Sequence, residues 1–592
     1  MMKRYIFLAI AAVAASYSLG AQDLDPTVVV RREYEGKLIE VHKPQLDMQV
    51  PDSVTRFDLD FDYSVFDKPY KGAYEFNPYV LTMEPASAVQ NPKHLYLKAG
   101  AGYTLHPVFD LVWATPFRNA FRMDVYGSHR SYVGSYRTFK PELPSDGPVV
   151  IDRWLEPGGE HGYTQVGYDL ETKAGLDGSY DWKSGVVDFD VSYYGIAAKD
   201  EIKTRHYDAL DIKAGVASKS MEDSFFKYDV DIRYRYGADV MKYNGNDMNL
   251  DEHVFGLEAV LGQVMHKEEG THKVLFDVGM DLAAYGHPEY STVAGEFHIV
   301  PHYVFQYNQK LMADVGVKLA KVMRSDSPQG IFGAKEQVVY PDVTVTFDAV
   351  PQYLRIYTHI GGGNKMNTYS SILQKNHHFD LEFGRGIWPL MDFDVERVSA
   401  VLGFKGHVGK FAYDLHGGYA NYANALLDAV VIGQQFGYSD FLPGFGYTSY
   451  QKAFAGFDWN WKTESLKFDG TLEYAHIFGM KESSGLFAPA AFTGDVAFEY
   501  NWSRRIYAGV DCQFSTGRKG SLIDMTQGND VHEAVIPGYA DLGVYFEYAP
   551  SQILSVWARG GNLLNMTIQR NPIYAEKGIN FTVGVCLNLW EK

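Results

Sequence analysis

Hydrophobic and polar residues alternate along most of this chain, and its final stretch shows the pattern most cleanly. From Ile579 to Trp590, Ile579, Phe581, Val583, Val585, Leu587 and Leu589 share one face, while Asn580, Thr582, Gly584, Cys586 and Asn588 take the other. A period of two over that length predicts a β-strand with one apolar and one polar face. A tilted strand crosses a bilayer with about 9–11 residues, so this one is long enough. Phe226–Tyr236 repeats the pattern, with Phe226, Tyr228, Val230, Ile232, Tyr234 and Tyr236 outward and Lys227, Asp229, Asp231, Arg233 and Arg235 inward. Val274–Leu282 turns Asp277, Gly279 and Asp281 inward, and Leu311–Leu319 does the same with Asp314, Gly316 and Lys318. An apolar outside around a charged inside inverts the soluble barrel and requires a watery lumen. Asp229, Asp231, Arg233 and Arg235 are the candidate lumen-lining residues.

Breaks in the alternation divide residues 93–592 into hairpins. Short turns fall near Trp182–Gly185, Ser218–Asp223, His266–Gly270, Asn308–Lys310, Ala349–Gln352, His407–Lys410, Lys462–Ser465, Ser503–Arg505 and Ala549–Gln552. Between them run longer connections: Tyr132–His161, Tyr236–Asn249, Tyr285–Gly295, Arg324–Gln337, Asn364–Arg397, Ala425–Gly444, Met480–Pro489, Gly517–Ala534 and Leu563–Lys577. With the earlier segments His94–Tyr103, Val108–Thr115 and Asn119–Ser131, the count reaches about 22 strands, an even number as bacterial barrels require. The expected fold is all-β, a transmembrane antiparallel β-barrel of about 22 strands with short periplasmic turns and long extracellular loops.

The remainder of the chain fits export. Residues 1–21 read as a secretory signal: Lys3 and Arg4, the apolar run Ile6 to Ala15, then the small-residue region Ser18 to Ala21. No Cys follows that region, so no lipoprotein is expected. No later segment supplies the roughly 20 apolar residues of a spanning helix. The apolar share of 46%, with 43 Tyr and 57 Gly, suits strands and interfacial girdles. The formal charge of −19, which becomes −21 without Lys3 and Arg4, argues against a nucleic-acid partner. Cys512 and Cys586 fall on opposite faces, which predicts two free thiols, no disulfide and no metal or other cofactor.

The closing residues also carry a resemblance. Val556-Trp557-Ala558-Arg559-Gly560-Gly561-Asn562-Leu563-Leu564-Asn565, followed by Gly578–Leu589, resembles the last hairpin of TonB-dependent receptors, and the strand count matches theirs. Thr582, Gly584, Leu587 and Leu589 resemble the C-terminal β-signal read by the barrel-assembly machinery, with Leu589 where an aromatic residue is usual. Asp25, Thr27, Val28, Val29 and Val30 resemble a TonB box. The resemblance implies an outer-membrane transport or receptor component of a Gram-negative bacterium, inserted among outer-membrane lipids by the assembly machinery, with a periplasmic N-terminus. One departure is large: residues 22–92 hold none of the Gly-rich elements of a receptor plug. They are rich in Pro and aromatics, which suits a periplasmic strap, and the whole is similar to plug-less receptor-like barrels of Bacteroidota.

Enzyme chemistry is not expected. His377, His378 and Asp380 stand together in the longest central loop, a grouping that could ligate a metal, but a loop of this length holds such a cluster by chance. Gly361–Gly363 lacks the following helix of a phosphate cradle. Aromatic residues in Asn364–Arg397 and Ala425–Gly444 either dock a ligand or pack the loops together. Two functions remain open: a transport component gated by loops or partners, and a closed scaffold holding surface lipoproteins or other outer-membrane proteins.

Overall fold

A computed structural model describes residues 93–590 except 104, 116–119, 138, 140–145, 152–163, 201–202, 220–223, 244–245, 268–269, 288–289, 309, 325–337, 380–390, 436–437, 482–484 and 576. The signal (1–21), residues 22–92 with Asp25 to Val30, and Asp380 lie outside the described residues.

Alternating segments pair with their sequence neighbours, and the two ends of the sheet then meet. Lys93–Tyr103 pairs with Val108–Ala114 on one side and with Asn580–Trp590 on the other. The second pairing runs from Lys93 opposite Trp590 to Tyr103 opposite Phe581. It closes a barrel of 22 antiparallel strands. Closure removes every open edge, as hydrocarbon demands, because no water is there to satisfy an unpaired N–H or C=O. No helix among the described residues is long and apolar enough to cross a membrane.

The alternation expected for the outer wall is present. Ile232, Val274, Phe276, Val315, Leu402, Val510, Val544 and Val583 are exposed on it. Aromatics cluster where the strands meet the short turns, with Phe226 58% and Trp502 66% exposed alongside Tyr307, Tyr353, Trp461 and Tyr548. An apolar band ending in an aromatic girdle is the outer surface that a bilayer covers. Cys512 lies between Val510 and Phe514 on a half-buried position, Cys586 is buried, and both thiols are free.

Several connections expected to be long loops are strands instead. Asn246–Lys267 has 22 residues, and Phe411–Gln435 and Tyr438–Lys462 have 25 each, against the roughly 9–11 that cross a membrane. Tyr236–Asn249, Tyr285–Gly295 and Ala425–Gly444 are therefore hairpin ends standing clear of the bilayer. In Ala425–Gly444 the alternation fails because the lipid rule no longer applies and both faces are covered. Leu427, Ala429, Val431 and Leu442 pack against Leu486 and Ile523. Val430, Ile432 and Phe441 pack instead against Phe487, Leu522 and Ile536. A strand buried on both sides reads as a continuous apolar run. Gly517–Ala534 likewise forms most of the hairpin Arg518–Asp524 and Asp530–Ile536, which sits outside the barrel count and meets Val149–Val150 in parallel.

Candidate functional site: the inner wall and the long-loop mouth

Period-two strands put every second side chain on the inner wall, and there the charges find each other across strands. Arg235 donates to both carboxylate oxygens of Asp211, at 2.5 and 2.9 Å. Arg233 pairs with Asp281 at 2.5 Å. Asp231 stands opposite Glu258, and Asp229 opposite Val260. These four residues, picked out by sequence, alternate with the exposed Phe226, Ile232, Tyr234 and Tyr236. His302 bridges Asp277 at 3.1 Å and Asp314 at 2.9 Å. On the far side of the wall a recess is lined by His416, Asp458, Glu473 and Asp495.

At the closing seam, Thr582 Oγ1 and His106 Nε2 lie 2.6 Å apart in a buried contact. Gly584 leaves room for the Trp557 ring and the Ala99 carbonyl, which a Cβ there would overlap. Leu587 stands between Leu97 and Leu554, and Leu589 faces outward beside Leu95. Thr582, Gly584, Leu587 and Leu589 thus lie on the strand that completes the closure.

The long connection after Leu354–Met366 turns back over the mouth. Thr368 caps a short helix, Tyr369–Lys375, by accepting from the Ser371 N–H. The helix presents Tyr369, Ile372 and Leu373, all fully buried, to the upper inner wall. They share one apolar cluster with Tyr194, Ile196, Tyr207, Leu250, Tyr285 and Phe445. Polar contacts fix the register. Arg205 is wholly buried; its Nε donates to Asp239 at 3.0 Å, and its other nitrogens donate to the His377 carbonyl at 2.8 Å and the Tyr369 hydroxyl at 3.2 Å. Tyr369 in turn donates to Asp239. Glu252, also wholly buried, accepts from the Ser370 N–H and the Tyr207 hydroxyl, each at 3.2 Å.

His377 and His378 diverge rather than converge. His377 Nδ1 meets Asp169 at 2.6 Å, while His378 stacks on Tyr574 with ring centres 4.3 Å apart. Among the described residues no group of three or more His, Cys, Asp or Glu gathers for a metal. Arg205, Asp239 and Glu252 were not singled out in the sequence, because each occupies an inward position like any other lumen charge.

These groups lie beyond the spanning part of their strands, and their ionisation is set by burial. Burial pushes the His377 imidazole down, but the hydrogen bond and charge of Asp169 outweigh it and the net shift is up. Asp169 is shifted down by the same bond, against the pull of burial. Burial pushes His378 down to about 4 and raises Glu252. A raised histidine contributes stability that is complete below its ordinary value of 6.5 and lost as pH rises through the raised one. The raised Glu252 acts in the same direction, since its buried charge appears as pH rises. Amide exchange of residues 369–379, corrected for its intrinsic pH dependence, is therefore expected to increase as pH rises above about 7.5, where the opposing contribution of the lowered His378 is already complete. His377→Gln should flatten part of that rise.

No family model matches the chain, and no curated protein matches it either. Solved structures do. The apoprotein form of the FrpB iron transporter from Neisseria meningitidis superposes with a TM-score of 0.59 at 9% identity, covering 85% of this chain and 81% of that one. The barrel fold is shared with that transporter. The siderophore receptor PirA from Pseudomonas aeruginosa gives 0.53 at 12% identity, with 84% and 80% covered. The copper transporter OprC gives 0.56 at 10%, with the same coverage. At such identities the likeness is one of fold alone.

Proposed function

We propose that this chain is a transport component of the Gram-negative outer membrane, with its short turns and N-terminus toward the periplasm and its long loops outside. The observation that carries this reading is a closed 22-stranded barrel whose outer face is apolar and whose inner wall is charged. Such a barrel is wide enough for an aqueous path, since 16–18 strands already leave one. Its fold neighbours are a siderophore receptor and transporters named for iron and copper. Residues 22–92 lack plug-like elements, so the mouth loops take over the task of keeping the path shut. No step calls for catalysis.

The test is conductance in planar bilayers of a variant in which residues 368–391 are replaced by a short Gly-Ser linker. The reading expects stable channels that favour cations, because Asp458, Glu473 and Asp495 focus negative potential on one side of the lumen. Asp458→Asn combined with Glu473→Gln should move the reversal potential toward the non-selective value. A shortened protein that folds and does not conduct would refute the reading. Deleting residues 25–30 separately tests energy coupling, and transport that survives the deletion would remove it.

A further inference from the structure

The segment that crosses the mouth has a fixed base and a far end held by buried charges. At the base, the Asn367 N–H donates to the Asp392 carbonyl at 3.0 Å, and Asn367 Nδ2 donates to Asp394 at 2.9 Å. Asp394 also accepts from the Leu426 N–H at 2.7 Å, and Asn424 donates to the Phe393 carbonyl at 2.7 Å. None of these bonds involves the distal contacts, so the base stands without them. The far end reaches strands Lys203–Ser218, Ser224–Tyr243 and Asn246–Lys267, none of which pairs with Leu354–Met366 or Phe393–Val408. The helix of seven residues follows the base directly and docks on those strands through Tyr369 and Ser370; it is too short to persist without a surface to dock on.

The far end is where the chemistry is unusual. A permanent closure is held as well or better by apolar packing, because charges taken out of water carry a desolvation cost. Here Arg205, Asp239 and Glu252 are buried among Tyr207, Leu250 and Tyr369 and bind the segment only in one register. Arg205 and Asp239 stand on neighbouring strands and keep their own pair when the segment leaves. Undocking therefore breaks only the bonds to Tyr369, Ser370 and His377 and returns the wall charges to water still paired.

We propose that Asn367–Phe379 is a hinged stopper, pivoting at the Asn367–Asp392 base, and that Arg205 with Asp239 is the latch whose opening clears the mouth. The inference rests on the transport reading and specifies its gating step. The latch recognises two features of the segment, the Tyr369 hydroxyl and the His377 carbonyl, which makes it sensitive to single-atom changes.

The test is single-channel recording of the full-length protein and three variants, each first shown to fold by its heat-modifiable migration. The wild type is expected to stay closed for most of the record. Arg205→Ala should raise the open fraction at least about tenfold. Tyr369→Phe, which removes one hydroxyl and keeps the ring in its apolar site, should raise it by less. The variant with residues 368–391 replaced should be open throughout, with the same unit conductance as the Arg205→Ala openings. If the shortened protein conducts while Arg205→Ala and Tyr369→Phe stay as closed as the wild type, the latch is wrong and the transport reading stands. If the shortened protein does not conduct, both fall.

Discussion

Replacing Arg205 with Ala is expected to weaken docking of residues 369–379 by about 3–5 kcal/mol, the usual cost of leaving one member of a buried ion pair alone. Asp239 is left buried, and the Tyr369 hydroxyl and His377 carbonyl each lose a donor. Amide exchange across residues 369–379 should accelerate by about a hundredfold to a few thousandfold, since each 1.4 kcal/mol is a factor of ten. Exchange in the barrel strands below should not change, because Lys203–Ser218 keeps its ladders to both neighbours. Arg205→Met combined with Asp239→Leu should restore much of the protection, since removing both charges also removes the desolvation cost. Uniform acceleration over the whole barrel would mean that Arg205 supports the fold and not the stopper.

Val510→Arg should destabilise the folded protein in lipid vesicles by about 2–4 kcal/mol, the cost of an arginine near the bilayer midplane on a barrel's lipid face. Val510 is 45% exposed and stands between Phe498 and Val544 on neighbouring strands. Ala497→Arg is the control. That position faces the other way, with Asp469 and Asp511 directly across from it, so the same charge should cost little or stabilise slightly. Equilibrium unfolding in urea from the vesicles measures both. Equal losses at the two positions would contradict the assignment of faces.

What the sequence made legible follows the membrane. Phe226–Tyr236 and Ile579–Trp590 were readable because lipid on one side and water on the other force strict alternation, and both lie within the observed strands Ser224–Tyr243 and Asn580–Trp590, apart from Ile579. Alternation stopped being a guide once the strands left the bilayer. Leu426–Ile432 resembled an apolar loop because loops cover both faces of its strand. The stopper was hidden for another reason. Arg205 meets Tyr369 and His377 at separations of 164 and 172 residues, and nothing local distinguishes it from Arg235, which pairs with Asp211 on the adjacent strand, or Arg233, which pairs with Asp281 two strands away. The neighbouring His377 and His378 suggested a shared ligand, whereas their backbone sends one ring to Asp169 and the other to Tyr574.

A membrane barrel with a charged lumen requires that the apolar face of its wall meet lipid. The direct measurement places a nitroxide at each position from Phe226 to Tyr236 in turn, in reconstituted vesicles, and compares collisions with oxygen, which enriches in lipid, and with a water-soluble nickel chelate. Oxygen is expected to dominate at Phe226, Tyr228, Val230, Ile232, Tyr234 and Tyr236, and the nickel chelate at Lys227, Asp229, Asp231, Arg233 and Arg235. A profile without a period of two, or with the opposite phase, would contradict a membrane barrel with a charged lumen.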